Sequence, residues 1–167
     1  MLRSGMPDTP LQVSRISKEA LRSQDMAIAA AATVPNGAPY IGKERAACDV
    51  AIVGTGPHGL ATAAHLRAAG VDVRVFGEVM GSWRHNMPAG MVLRSERLGS
   101  HIPDPARDLT LEQFEAAIGR QLPRRVPLED FIAYGIWYQR HAVPEVDQRR
   151  VANVDAAGNG FRLTIED

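Results

Sequence analysis

The sequence predicts an α/β fold: one β-α-β unit with parallel strands, then amphipathic helices, then an antiparallel hairpin. Three observations carry this reading. Val50–Val53 and the run Val71, Val73, Val75, Phe76 are short, apolar and rich in β-branched residues, the pattern of strands buried on both faces of a parallel sheet. Between them a small-residue stretch with Leu60, Ala61, Ala64 and Leu66 runs from Pro57 to Gly70, as a helix bounded by its preferred punctuation does. Near the end, Phe161, Leu163 and Ile165 alternate with Arg162, Thr164 and Glu166 after Gly158-Asn159-Gly160, which is a hairpin signal.

The turn between the first strand and the helix is the most informative stretch. Gly54, Gly56 and Gly59 form G-x-G-x-x-G in the strand-to-helix context that this pattern requires. Gly54 permits the bend out of the strand, Gly56 lets the backbone approach a pyrophosphate, and Gly59 allows close packing of helix on strand. The unpaired N–H groups of the helix start then face the phosphates, with Pro57 and His58 beside them. Dinucleotide binding is therefore the reading, and a purely structural glycine turn is the alternative. A carboxylate for the ribose belongs at the end of the second strand, about twenty residues past the glycines. That place falls on Gly77; Glu78 follows immediately and is the candidate to reach back to the ribose, although its side chain leaves the strand in a different direction.

Composition excludes several classes. The 167 residues suffice for one domain with a core, and the formal charge of zero gives no case for a nucleic-acid partner or an acidic membrane surface. Cys48 is the only cysteine, so no internal disulfide forms; its place before the first strand suggests a buried small residue. The apolar run Met26–Val34 is far short of the ~20 residues of a membrane span, so no membrane partner is expected and the default location is cytoplasmic.

Along the chain, residues 1–47 mix prolines with Ser, Gly and Ala and are expected to be a flexible extension holding one short helix, Ser17 to Ala32. Residues 48–167 form the domain. After the second strand, the segment from Gly77 to Glu96 reads as a loop dense in Gly, Met and Pro, placed over the ligand crevice at the carboxyl ends of the strands. Within it Trp83 either stacks near a flat cofactor ring or packs into the core. Arg84 and Arg94 either neutralise phosphate or face solvent. Thr110 to Leu122 opens with a Thr-x-x-Gln capping box and repeats apolar residues at helical spacing. Pro127 introduces a second helix, Leu128 to Arg140, whose Trp137 and Tyr138 are spaced for core packing. In the closing hairpin, beside the main sheet, the alternation implies one solvated face.

Other chemistries find little support. The five histidines show no metal-ligand spacing, and neither His85 nor His101 has a carboxylate placed to form a relay. Ser95 and Ser100 lack a nucleophile elbow.

With these residues in view, the chain resembles the amino-terminal part of the FAD-dependent monooxygenases and related two-dinucleotide-domain flavoproteins, including the flavin-containing and N-hydroxylating enzymes. The residues that carry the resemblance are VAIVGTGPHGLATAAHLRAAG, MGSWRHNMPAGMVLRS and PLEDFIAYGIWYQ, which together place it over about Cys48 to Asp167. It implies a partial, Rossmann-like FAD-binding domain in which Gly54, Gly56 and Gly59 hold the pyrophosphate, and Gly81, Ser82, Trp83 and Arg84 lie along the cofactor toward the flavin. In such enzymes NAD(P)H reduces the flavin, and reduced flavin activates oxygen to oxygenate a soft nucleophile or a carbonyl. The resemblance nominates no catalytic acid or base. A second glycine fingerprint and the segment that closes the FAD site are not found after Gly59, so the chain is expected to be an incomplete domain and not to turn over alone. An unpaired edge at Phe161 to Asp167 is expected to promote self-association. The other readings are an NAD(P)-dependent Rossmann dehydrogenase and a non-catalytic interaction protein derived from a flavoprotein.

Overall fold

The computed structural model describes residues 47–166. The expected extension at residues 1–47, with its helix at Ser17 to Ala32, lies outside the described residues apart from Ala47.

The parallel unit is present. Strand β1 (Val50–Val53) pairs in parallel with β2 (Val73–Phe76), Val50 opposite Val73 and Val53 opposite Phe76. Helix α1 (Pro57–Ala68) connects them, with Gly56 at its N-cap and proline in its first turn. Its small residues Ala63 and Ala64, with Leu60, let it lie close on the sheet, where all three are buried. It ends in Ala69 and Gly70, the latter at φ +79°, where Val71 N donates to Leu66 O at 3.0 Å.

A third strand is present that the sequence reading did not anticipate. β3 (Val146–Asp147) pairs in parallel with β2, giving the order β1-β2-β3. Two paired residues beside Pro144 are too short for periodicity to reveal. The burial corrects the expectation that β1 is buried on both faces: among the described residues β2, with a strand on each side, is largely buried, whereas the first three residues of β1 are half-buried and Val53 is 57% exposed.

Helix α2 (Gly81–His85) lies inside the stretch expected to be a loop. It follows Met80, a non-glycine residue at φ +57° that is wholly buried. After a 3₁₀ turn (Arg97–Ser100) comes α3 (Leu111–Ile118), capped as expected by Thr110, whose hydroxyl accepts from Gln113 N at 3.3 Å. It is shorter than the expected Thr110–Leu122 because Gly119, at φ +70°, ends it. Helix α4 (Leu128–Ala142) carries Glu129 and Asp130 in its first turn and Arg140 and His141 in its last, each sign at the dipole end that favours it.

Helix α4 is the spine of the core. Phe131, Tyr134, Trp137 and Tyr138 are all buried, the last two as expected. Phe114 of α3 packs its ring against Tyr134 and Trp137, both at 5.7 Å between centroids. Tyr134 Oη donates to Leu109 O at 2.6 Å and accepts from Ile102 N at 3.0 Å, while Tyr138 Oη donates to Pro103 O at 2.7 Å. Those bonds hold the irregular 102–109 segment, inside which Asp104 accepts from the amides of Asp108 and Leu109.

The hairpin of β4 (Val151–Ala157) and β5 (Gly160–Ile165) forms as expected, with Gly158 at φ +60° in a two-residue turn. It is a sheet of its own, sharing no ladder with the parallel strands. The expected single solvated face is corrected as well: alternation is present, but the apolar side is exposed too, with Phe161 at 76% and Val154 at 50%. Cys48, expected to be buried, is half-exposed at the chain's approach to β1.

Candidate functional site

The three glycines of the turn meet three different constraints. Gly54 stands at φ +112°, a conformation that side chains avoid, and its N–H donates to Phe76 O at 2.8 Å. A Cβ on Gly59 would lie 1.9 Å from Gly54 O, so helix and turn touch there through backbone alone. A Cβ on Gly56, by contrast, would meet only Trp83 Nε1, at 3.9 Å. The space over Gly56 is open, and the first-turn amides of α1 beside it receive no side-chain cap.

Thr55 is the residue that sequence reasoning missed. Buried to 2% exposure, its hydroxyl lies 3.1 Å from Gly77 O and 2.5 Å from Glu78 O, one hydrogen shared between two carbonyls at the end of β2. Its own carbonyl accepts from Met80 N at 3.0 Å. The glycine turn is thereby tied to the start of α2. The available signal was a β-branched hydroxyl between two glycines, where an exposed turn has no use for one.

Gly77 occupies the position where a ribose carboxylate was sought, and it adopts φ +119°. The backbone itself disfavours any side chain there, so a simple exchange to glutamate is strained. Glu78 is turned to α2: its Oε1 accepts from Arg84 Nη1 at 2.6 Å and its Oε2 lies 2.8 Å from His85 Nε2. Glu78 and Arg84, both proposed from sequence as cofactor contacts, thus hold each other. His85 does have a carboxylate neighbour, which corrects the expectation; the pair is made by a turn of helix, invisible to local spacing. Ser82 is exposed on the same short helix.

Trp83 packs partly against the core and partly borders open space. Its ring meets Phe131 edge-on, with centroids 4.7 Å apart at 62°, and it also lines a cleft of about 690 Å³. Pro57 and His58 of α1 line that cleft together with Met91, Arg94 and Ser95. The start of α1, Trp83 and Arg94 are therefore brought to one concavity, and the glycine turn comes near it at Gly56, where a Cβ would lie 3.9 Å from Trp83 Nε1.

Its far wall is polar. Ser95 Oγ and Ser100 Oγ are 2.7 Å apart, and His101 follows them. His101 Nε2 is buried and lies 3.1 Å from Glu112 Oε2, near enough for an ion pair yet out of line for a hydrogen bond. This second carboxylate beside a histidine also corrects the sequence reading. Arg97 bridges Glu112 at 3.3 Å and Glu115 at 2.8 Å. Burial pushes the Glu112 carboxyl up, but hydrogen bonds from its own amide and Thr110, with the His101 and Arg97 charges, bring it below the usual carboxylate range. Among the described residues no three His, Cys, Asp or Glu converge as metal ligands, and no helix is long and apolar enough to cross a membrane.

Residues 47–94 match the FAD binding domain family. That span runs from the entry to β1 through the glycine turn, Trp83 and Arg94. The fold is similar to solved flavoproteins. The bacillithiol disulfide reductase of Staphylococcus aureus is 22% identical with a TM-score of 0.55, over 69% of this chain and 32% of its own. The flavin-containing monooxygenase of Stenotrophomonas maltophilia is 22% identical with a TM-score of 0.56, over 71% of this chain and 33% of its own. Lysine monooxygenase from Nocardia farcinica, described with an NADPH domain, is 18% identical with a TM-score of 0.56, over 69% and 38%. At these identities the likeness establishes the fold, and the chain spans about a third of the length of each. No curated protein sequence matches the chain. The match of residues 47–94 is to an FAD-binding family, and the likeness to the solved flavoproteins is one of fold.

Proposed function

We propose that residues 48–167 bind FAD as the dinucleotide part of a flavin-dependent, monooxygenase-type oxidoreductase, with NAD(P)H as the hydride donor of the whole enzyme. The observation that carries this reading is the open surface over Gly56, flanked by amides of α1 without a side-chain cap and lying next to Trp83, which lines the cleft. The pyrophosphate would lie on that surface, where only backbone and the helix dipole meet it. Pro57 and His58 would border it on α1. Trp83, braced by Phe131, would flank the cofactor on its way into the cleft, with Ser82 outside it. Arg94, exposed at the cleft, is placed to meet negative charge.

Bound FAD would supply hydride acceptance and oxygen activation; the chain's own part is to bind, orient and shield it. Glu78 and Arg84 enter this scheme as a pair. Their mutual bond fixes α2, and through it Trp83, so that their contact with a ribose requires the pair to open. The NAD(P)H dependence and oxygenation rest on the resemblance and on the NADPH domain described for the lysine monooxygenase relative.

The test is titration of the purified chain with FAD, followed by flavin fluorescence. Binding is expected, and Gly56→Val is expected to weaken it by at least about tenfold while leaving the fold intact, since a Cβ there meets only Trp83 Nε1, at 3.9 Å. Unchanged FAD affinity in Gly56→Val would reject the site; nicotinamide binding without flavin binding would favour the dehydrogenase reading.

A further inference from the structure

We infer that β5 is the pairing edge of a homodimer, in which two copies join β5 to β5 in antiparallel fashion about a two-fold axis at Thr164. This inference stands on the hairpin and is independent of the cofactor reading. The hairpin is a two-stranded sheet, and both its outer edges carry backbone groups that no described strand pairs. The two edges are not equivalent. β4 has a bulge between Val151 and Asn153 that breaks its line, whereas β5 runs from Gly160 to Ile165 with no bulge and no proline. A regular edge is the one that accepts another strand.

The direction of the free groups follows from the register. Ala157 and Gly160 flank the two-residue turn as a bonded pair, and Glu166 N donates to Arg150 O at 2.8 Å. In an antiparallel ladder bonding alternates, so Gly160, Arg162, Thr164 and Glu166 turn their backbone groups toward β4. Phe161, Leu163 and Ile165 turn theirs outward.

The side chains then select one alignment. Centred on Thr164, Leu163 faces Ile165 of the second copy in a bonded pair, and this occurs twice by symmetry. Arg162 faces Glu166 of the second copy in the closer, non-bonded type of pair, also twice. Thr164 faces its own copy. Shifting the centre to Leu163 or Ile165 loses the opposed charges. Glu166 is available for this, since the cation it meets among the described residues, Arg150, stands 3.8 Å away and is itself 81% exposed. The pairing also joins the two small apolar faces, Val154, Phe161, Leu163 and Ile165 from each copy, into one sheet surface.

The experiment is sedimentation of the 167-residue chain from micromolar to millimolar concentration, because an interface built on one strand edge is small and weak. A concentration-dependent dimer is expected. Arg162→Glu alone and Glu166→Arg alone should each raise the dissociation constant about tenfold, by opposing like charges twice. An equimolar mixture of the two variants should dimerise again, since each supplies the charge the other lacks. As a readout without substitutions, amide exchange at Leu163 and Ile165 should slow with concentration while that of Val154 on the β4 edge does not. A chain monomeric throughout, whether its edge is left to solvent or taken by residues 1–46, would overturn the inference, as would a mixture that fails to recover or protection on β4 in place of β5.

Discussion

The glycine turn and the closing hairpin are both built from short strands and glycine-bearing turns, and they are held in opposite ways. The turn is held from other elements at several points: Gly59 touches Gly54 O, Thr55 bridges to the end of β2, Met80 N bonds back to Thr55 O, and the side chain of Met80 packs on Gly135 of α4. In the hairpin the strands meet each other, and little else among the described residues. A turn that must hold a ligand's phosphates against backbone needs its geometry fixed from outside, whereas a hairpin needs only its own ladder. The comparison makes a quantitative claim: the same kind of substitution costs far more in one region than in the other.

The largest effects are expected where backbone meets backbone or a ring is wholly enclosed. Gly59→Ala puts a methyl 1.9 Å from Gly54 O, with no flexible side chain to yield, and should destabilise by about 3 kcal/mol or more. Phe114→Ala empties a site walled by Tyr134 and Trp137 and should cost about 3–5 kcal/mol. Urea denaturation of each variant measures both. A Gly59→Ala protein as stable as the parent would show that helix α1 does not sit on the turn as described.

A smaller effect tests the link between turn and helix. Gly135 lies in the middle of α4, where alanine normally gains about 1 kcal/mol from helix propensity. Here an added Cβ would stand 2.5 Å from Met80 Sδ and under 3 Å from its neighbouring carbons. Met80 is wholly buried in the core, so the end of its side chain has little space into which to withdraw. Overpacking of about 1–3 kcal/mol should outweigh the gain, so Gly135→Ala should lower the melting temperature. Met80→Ala, tested in the Gly135→Ala background, should recover part of the loss from overpacking. A stabilised Gly135→Ala would break the argument.

These contacts also mark what sequence could disclose. The fingerprint was legible because each glycine has a local reason to be there, and so was the cap at Thr110, which needs only Gln113. Met80 against Gly135 was not, since a glycine inside a helix looks like a defect until the residue that fills its place is known. Helix α2 escaped notice because Gly81 is a poor helix residue and Met80 no cap. The Glu78, Arg84 and His85 contacts depend on that helix, so they escaped with it. The candidate site was legible as a list of residues; that Pro57, His58, Trp83 and Arg94 line one cleft, and that Thr55 is buried within the turn, required the fold.

Tyr134→Phe should cost less again, about 1–3 kcal/mol, by leaving Ile102 N and Leu109 O without their partner. The same hydroxyl makes stability depend on alkali. Burial raises Tyr134 to about 12 from an ordinary 10.0; the Ile102 amide, next in size, opposes it, and the Asp104 and Glu112 charges add to it. Burial raises Tyr138 as well. A raised value in the folded state means the stabilisation is complete below about pH 10 and is lost as pH climbs through the folded values. Unfolding followed from pH 9 upward should show this loss, and Tyr134→Phe should lessen it. A flat profile up to pH 12 would remove the enclosure of these hydroxyls from the argument.

The smallest effect is expected in the hairpin, and it is the sharpest check on the comparison because the residue type is the same as at Phe114. Phe161 belongs to the alternating apolar set that periodicity assigns to a core face, yet it is 76% exposed. Periodicity says which side of a strand is apolar; it says nothing of what covers that side. Only the enclosed quarter of its surface, about 50 Å² of a typical phenylalanine, leaves water on folding, which at ~25 cal/mol per Å² is about 1 kcal/mol. Phe161→Ala should therefore cost no more than about 1 kcal/mol in chains dilute enough to be monomeric, against 3–5 kcal/mol for Phe114→Ala. If the two substitutions cost the same at low concentration, Phe161 is enclosed in solution, and the hairpin is held from outside as the glycine turn is. If the cost of Phe161→Ala is small when dilute and grows with concentration, the covering comes from another copy, and the contrast between the two regions is one of assembly.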